Sequence, residues 1–187
     1  MPADSTTLSN YAGNAAGADD NNDSSLVTYD PYTAVFYPSG LTTDNLGKTV
    51  MVPSTHMMLK TIALSDQVSY PWFAPAGIRR GAITNATSVG YLDSATGEFK
   101  TVALTDGQRD TLYNGKVNPI TFFNAVGLVN YGQRTRASGS SALDRINVAR
   151  LVVYLRSQLN KLAKPYVFEP NDKITRDEIK QAVESLL

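Results

Sequence analysis

The feature that most constrains the fold is the segment from Ser141 to Leu162, where apolar residues recur every three or four positions. This spacing places them on one face of an α-helix, and such a stripe has to be buried against another element. Ser140 or Ser141 suits the N-cap, and Pro165 ends the pattern because proline cannot continue a helix. The stripe consists of Leu143, Ile146, Leu151, Leu155, Leu159 and Leu162, with Arg150 beside them.

The preceding part of the chain alternates between strand-like and helix-like patterns. β-branched and aromatic residues at 33–37 are followed by a Pro-Ser-Gly sequence, which predicts a strand that ends in a turn. Pro53 suits the first turn of a helix, where its missing N–H costs nothing, and Thr105 suits an N-cap. Further strands are predicted at 49–52 and 99–104, one or two strands joined near Asn124 at 120–131, and a short strand or extended segment at 166–168.

A last helix is predicted near the C-terminal end of the sequence. Residues 175–178 have the Thr-x-x-Glu spacing of a capping box, and apolar residues follow at helical intervals. The alternation of strands and helices predicts an α/β or α+β sandwich, a single domain in which helices pack on a small mixed sheet. We assign residues 26–187 to this domain. Residues 1–25 are rich in Asn, Asp, Ser, Ala and Gly, and we expect a flexible polar arm there.

The charge balance and the lack of cysteine argue against several functional classes. Lys plus Arg and Asp plus Glu number 17 each, so the formal net charge is zero, whereas nucleic-acid binders carry a basic excess. The 187 residues include no cysteine, which excludes disulfides, thiolate nucleophiles and cysteine-based zinc sites. No apolar stretch is long enough to span a bilayer. We therefore predict neither nucleic acid nor membrane as a partner.

The polar residues do not form a recognisable catalytic motif. His56 is the only histidine, and Ser54 and Asp66 are available as partners, but the Gly-x-Ser-x-Gly nucleophile elbow is absent. Two carboxylate pairs, Asp93 with Glu98 and Asp177 with Glu178, are explained by a turn and by a helix cap. We predict no catalytic residue, and a small hydrolase that uses His56 is retained as an alternative.

Patterns for bound phosphate or metal are incomplete. The Gly-Lys-Thr sequence at 47–49 lacks the preceding glycine of a phosphate loop. Four polar residues have the spacing of a calcium loop, without its glycine and with no helix before it. We predict no cofactor and no metal. The calcium-like residues are Asp19, Asn21, Asp23 and Asp30.

The arginines around the long helix leave two interpretations open. Each arginine pairs with a carboxylate on a solvated face of its own chain, which contributes about 0–1 kcal/mol per pair. Alternatively, some of them form ion pairs between subunits, where the planar guanidinium suits a carboxylate. Arg150 lies on the apolar stripe, so it is at least half buried and needs a partner. We name Arg134, Arg145 and Arg150 as candidates for subunit contacts.

A series of short motifs resembles the C-terminal core of contractile tail sheath proteins from bacteriophages of the myovirus type. The central ones are Tyr-Gly-Gln-Arg-Thr at 131–135, which is similar to the family's Trp-Gly-x-Arg-Thr, and the helix sequence at 144–151, which is similar to its Arg-x-Asn-Val-Arg-Arg. The shared order of the motifs makes the resemblance specific. The others are Tyr37-Pro38, Val52 to His56, Leu64 to Asp66, Trp72 with Ala74 to Gly77, Asn118 to Ile120, and Phe168 to Asn171.

The resemblance implies a structural protein that is not an enzyme. Subunits of this family stack as hexameric rings around a tail tube and contract, which drives the tube through the host envelope. The implied partners are other sheath subunits, the tail tube protein, the baseplate and the tail terminator. The implied location is the virion, assembled in the host cytoplasm, and a subunit of a phage-like injection or secretion machine is the alternative.

Members of the family are longer than this sequence on both sides. They have upstream domains and a C-terminal extension whose strand is exchanged between neighbouring subunits. The resemblance therefore implies a core that is part of a longer sheath protein or one component of a split one.

Overall fold

A short parallel strand pair lies at the centre of the fold in the computed structural model, which describes residues 30–93, 95–137 and 139–186. Strand β1 (Val35–Tyr37) pairs with β6 (Val117–Phe123), and Val35 lies opposite Val117. Strand β7 (Gly127–Asn130) returns antiparallel to β6, which gives a mixed sheet in the order β1-β6-β7. The expected polar arm at 1–25 lies outside the described residues.

A second sheet is antiparallel throughout and has the order β3-β2-β4-β5. Only Pro38, which follows a cis peptide bond, separates β1 from β2, so the chain passes directly from one sheet to the other. The turn predicted after the first strand is therefore wrong, because Ser and Gly of the Pro-Ser-Gly sequence begin β2. The strands are β2 (Ser39–Thr43), β3 (Thr49–Val52), β4 (Ser88–Leu92) and β5 (Phe99–Thr101).

Five α-helices accompany the sheets in the described residues, and none of these helices combines the length and apolar character needed to cross a membrane. The architecture confirms the predicted α/β sandwich with a small mixed sheet. The helices are α1 (Ser54–Val68), α2 (Gly77–Arg80), α3 (Asp106–Asn114), α4 (Ile146–Ala163) and α5 (Lys173–Leu186).

Helix ends follow local capping chemistry, with two departures from the predictions. Thr105 caps α3 in a reciprocal capping box with Gln108. Ser141 caps a short 3₁₀ turn, and α4 begins only at Ile146. The capping box predicted at 175–178 is wrong, because the Asp172 carboxylate accepts the Thr175 N–H at 2.8 Å and α5 begins earlier.

The stripe on α4 is only partly buried. Ile146 and Ala149 are buried, whereas Leu159 is 38% exposed and the other leucines of the helix are half-buried. Helix α5 packs on α4, and none of its described side chains is fully buried. The strand predicted at 166–168 is wrong, because a 3₁₀ turn (Lys164–Tyr166) and an exposed loop occupy this region. The far end of α4 therefore stands outside the main core.

Two buried clusters form that core. One joins β1 and β6 to α3 through Tyr37, Val117 and Leu112. The other lies beneath α1, where Met57 and Met58 are 0% and 1% exposed. The second cluster contains side chains from both sheets, so their burial fixes the sheets relative to each other. The second cluster also contains Val52, Ile83, Val89, Ile120 and Leu128.

A buried amide on β6 connects the sheet to the segment that follows β7. The Asn118 side chain donates to the carbonyls of Val35 at 2.9 Å and Arg134 at 2.8 Å, and it accepts the Arg134 N–H at 2.6 Å. A Cβ atom added at Gly132 would lie 2.8 Å from the Asn118 Oδ1 and 2.9 Å from its Cα. The glycine of the Tyr-Gly-Gln-Arg-Thr motif is therefore required by close packing.

We expect Gly132→Ala to lower the free energy of unfolding by about 1–3 kcal/mol, because the methyl group displaces the Asn118 network. Urea unfolding followed by circular dichroism measures the change. Gly107→Ala is the matched control. Nothing lies within 4 Å of a Cβ at this position in α3, so alanine should raise stability by about 0.5–1 kcal/mol. Equal stability of Gly132→Ala and the unmodified chain would contradict this account.

Candidate subunit-contact surface

The motif after β7 runs as an extended strand beside the start of α4. The Thr135 N–H donates to the Asp144 carbonyl, and the Ile146 N–H donates to the Gln133 carbonyl, both at 2.9 Å. Arg134 and Arg145 form an isolated antiparallel bridge between these two hydrogen bonds. The backbone pairing thus brings together two of the three arginines that are candidates for subunit contacts.

Both of these arginines contact the ring of Tyr113 at the end of α3. The Arg134 guanidinium lies over the ring, 4.8 Å from its centroid, in the geometry of a cation–π contact. The Arg145 Nη1 donates to the Tyr113 hydroxyl at 2.6 Å, and its Nε lies 3.2 Å from the Asp144 Oδ1. We call Tyr113, Arg134 and Arg145 the tyrosine–arginine cluster. Sequence reasoning missed Tyr113, since nothing local connects it to residues more than 20 positions away.

Arg134 lacks a carboxylate partner in the described part of the chain. Its guanidinium forms no ion pair there, and its Nε is buried without a hydrogen-bond partner. A half-buried guanidinium with an unused donor costs free energy unless an anion approaches it. This cluster therefore presents a positive group that a carboxylate from outside the domain can neutralise.

Two further basic groups lie near the cluster, together with the carboxylates of Asp106, Asp110 and Asp144. Burial lowers the pKa of the Lys116 ammonium group, and the charges of Arg136 and Arg134 lower it further. Arg136 is only 2% exposed, and its Nη1 donates to the Gly115 carbonyl at 3.3 Å. Alternation along an extended strand places Arg134 and Arg136 on the same side, a signal present in the sequence. The burial of Arg136 had no such signal.

Arg150 lies elsewhere and joins α4 to α1. Its Nη2 donates to both carboxylate oxygens of Asp66, at 2.6 and 2.7 Å, and the arginine side chain is 20% exposed. The prediction that Arg150 is at least half buried and has a partner is confirmed. This partner is in the same chain, so the ion pair first of all fixes α4 against α1.

A broad groove next to the tyrosine–arginine cluster has a volume of about 690 Å³. Residues of three family-like motifs line it: Ala74, Ala76 and Gly77 of the first, Pro119 of the Asn-Pro-Ile sequence, and the Tyr-Gly-Gln residues 131–133. Arg109 of α3 lies on the same groove and contacts the Tyr131 ring, 5.7 Å from its centroid. Motifs that are far apart in the sequence therefore converge on one surface.

The residues considered for catalysis are not arranged as a catalytic site. His56 is exposed at the start of α1, and ten residues of helix place it about 15 Å from Asp66, which is paired with Arg150. Hydrogen bonding from Lys100 lowers the pKa of Asp93, the opposite of what a general acid requires. Within 30–93, 95–137 and 139–186, no three His, Asp or Glu side chains are grouped as metal ligands.

Comparisons with known proteins point to contractile sheaths. No family model matches the chain. It is 38% identical over 125 residues to the tail sheath protein of Vibrio phage KVP40, covering 67% of this chain and 17% of that protein. It is 36% identical over 114 residues to the tail sheath protein of Enterobacteria phage T4, covering 61% of this chain and 16% of that one. The resemblance to tail sheath proteins is therefore confirmed, although the chain spans less than a fifth of these relatives.

Solved structures show the same fold. The contracted helical sheath of the anti-feeding prophage matches with a TM-score of 0.69 and 22% identity, covering 98% of this chain and 50% of that one. The contracted sheath complex of an extracellular contractile injection system, named PVC, matches with a TM-score of 0.70 and 24% identity. The match covers 95% of this chain and 43% of that one. The fold of nearly the whole chain is thus that of a domain in contractile sheath structures.

We expect a double-mutant cycle of Arg150→Met and Asp66→Asn to give a coupling energy of about 1 kcal/mol, because the pair is partly shielded from water. Urea unfolding of the isolated chain supplies the four stabilities. The exposed Lys180–Glu184 pair, with a separation of 3.8 Å, is the matched control and should give at most about 0.5 kcal/mol. A coupling energy near zero for the first pair would show that Arg150 is not needed to hold α4 to α1.

Proposed function

We propose that this chain is the core domain of a contractile tail sheath subunit. In this proposal, copies assemble as stacked hexameric rings around a tail tube and contract to drive the tube through a host envelope. The observation that carries the proposal is the 38% identity to a phage tail sheath protein over 125 residues. The fold shared with contracted sheath structures supports it independently.

The proposed role is mechanical and not enzymatic. The work of contraction comes from subunit contacts that have two alternative arrangements, without nucleotide hydrolysis. The proposed partners are other sheath subunits, the tail tube protein, the baseplate and the tail terminator, and the proposed location is the virion, after assembly in the host cytoplasm. Similarity to a chain in the baseplate structure of the anti-feeding prophage supports the baseplate contact.

The tyrosine–arginine cluster is the proposed subunit contact. A carboxylate from a neighbouring subunit would pair with Arg134, whose guanidinium lacks a carboxylate within the described residues. Arg145 lies next to it, with its own charge paired to Asp144. Arg150 is the third proposed contact residue, and it would take part by exchanging its Asp66 partner for a carboxylate of a neighbouring subunit.

A sheath subunit of an injection or secretion machine is the second candidate function. It is supported by the structural similarity to the anti-feeding prophage and to the extracellular contractile injection system. Genes encoding a capsid and a terminase beside this one would indicate a phage, and genes for a toxin cargo without a capsid would indicate an injection machine.

Electron microscopy of the full-length gene product tests the proposal. Negatively stained samples, alone and mixed with the tail tube protein from the same gene cluster, should contain sleeves or tubes of regular diameter. Addition of tube protein should make sleeve length follow tube length, because the tube templates the stacking of rings. Absence of tubular assemblies under both conditions would contradict the proposal.

We expect Arg134→Gln to raise the protein concentration needed for assembly by about tenfold or more, because a partner carboxylate loses its cation. Light scattering during assembly measures this threshold. Arg79→Gln, which changes an exposed arginine on α2, is the matched control and should leave the threshold unchanged. Equal thresholds for the two variants, with both folded by circular dichroism, would remove Arg134 from the contact.

A further inference from the structure

A protruding aromatic side chain follows the long helix α4. Phe168 is 98% exposed and Val167 is 66% exposed, so neither is covered by its own domain. Exposure of a whole phenylalanine ring is unfavourable, and aromatic residues are enriched where proteins contact each other. The next residue, Glu169, is also exposed, and it forms no ion pair within the described chain.

An apolar groove lies at the other end of α4. It has a volume of about 270 Å³ and is formed between the segment Pro31–Ala34 and the first turns of the helix. Its lining is dominated by apolar groups, and Tyr32 at its rim is 45% exposed. A groove of this kind suits a single aromatic side chain. The apolar residues that line it include Pro31, Pro71, Ile146, Val153 and Tyr154, and Arg150 also borders it.

Phe168 does not occupy the groove of its own chain. About 20 Å of helix separates Arg150, in the groove, from Ala163 at the end of α4. The near-complete exposure of Phe168 also shows that it makes almost no contact with its own domain. The protruding ring and the groove are thus two different surfaces of one molecule.

We propose that Phe168 of one copy inserts into the apolar groove of another copy. The inference rests on the proposed sheath function, since it names a second contact, beside the tyrosine–arginine cluster, by which copies of this domain join head to tail. A contact between two different surfaces is heterologous, and it repeats to give closed rings or open helices. Stacked rings and helical sleeves need contacts of this kind.

Charge complementarity supports a second copy as the occupant. Arg156 lies one turn beyond the groove on α4, is exposed, and contacts the Tyr32 ring at 6.0 Å from its centroid. It has no carboxylate partner among the described residues. Insertion of Phe168 would bring the adjacent Glu169 to the rim of the groove, where Arg156 of the other copy can pair with it.

Disulfide trapping tests the contact directly, because the chain contains no cysteine of its own. We expect Val167→Cys protein mixed with Ser157→Cys protein to form a mixed disulfide dimer on mild oxidation. Ser157 is exposed and lies one turn beyond Val153, so its thiol would face the incoming loop. The matched control pairs Val167→Cys with Leu46→Cys, a position that is 93% exposed and far from α4 in sequence. The mixed dimer with Ser157→Cys should be at least about fivefold more abundant.

Reversing the charges provides a second readout. Adding Glu169→Lys to the Val167→Cys protein should lower the yield of mixed dimer by about two- to fivefold, as expected for an exposed ion pair. Adding Arg156→Glu to the Ser157→Cys protein should restore the yield. Phe168→Ala, with Leu46→Ala as its control, should abolish the excess of mixed dimer over background.

The outcomes separate this contact from the sheath function. The proposed contact is overturned if Val167→Cys protein forms no more mixed dimer with Ser157→Cys protein than with Leu46→Cys protein, whatever else occupies the groove. If removal of residues 1–29 then raises that yield, the groove belongs to the chain's own N-terminal segment. If the Phe168→Ala variant forms sleeves as well as the unmodified protein does, the contact is refuted but the sheath function is not. Specific trapping without sleeves would refute only the sheath function.

Discussion

The buried amide of Asn118 is the interaction on which the arrangement of the surface depends. It bonds to β1 and to the segment after β7, so one side chain connects parts of the chain that are separated by 83 and 16 residues. A buried donor or acceptor left unpaired costs about 1–3 kcal/mol, so the segment cannot leave this position without a large loss. The position of Arg134 above Tyr113 follows, because its own backbone N–H and carbonyl are the atoms that Asn118 holds.

Helix α4 has two parts with different environments. Its first turns are fixed by the buried side chains of Ile146 and Ala149 and by the ion pair of Arg150 with Asp66. Its last turns carry half-buried leucines and are supported mainly by α5. The first turns of α4 are therefore held by the main core, which resists continuous deformation, whereas its last turns expose more of their surface.

Elements specified by neighbouring residues were predictable from the sequence, and those specified by distant ones were not. The β-type run at 49–52 and the Thr105 cap of α3 have local signals, and the structure contains both. Strand β2 was missed, because pairing with β3 and β4 overrides the turn preference of its Pro-Ser-Gly sequence. The N-cap of α5 is Asp172, three residues before the predicted Thr175, because the Asp172 carboxylate accepts the Thr175 N–H.

The same distinction holds for the candidate surface. The helical stripe predicted the partial burial of Arg150, but Asp66 lies 84 residues away and no pattern connects the two. The bridge between Arg134 and Arg145 depends on an extended strand pairing with the residues before α4, and neither segment has a strong β signal. Each family-like motif is visible in the sequence, whereas the groove that three of them line forms only in the folded chain.

The direct passage from β1 to β2 has a mechanical consequence. One strand of the mixed sheet and one strand of the antiparallel sheet are separated by a single residue, Pro38, so no loop lies between the two sheets at this point. Tension on β1 would act on the hydrogen bonds that join β1 to β6 and, through Pro38, on those that join β2 to its two neighbours. A pull on one sheet would thus be transmitted to the other through a single residue.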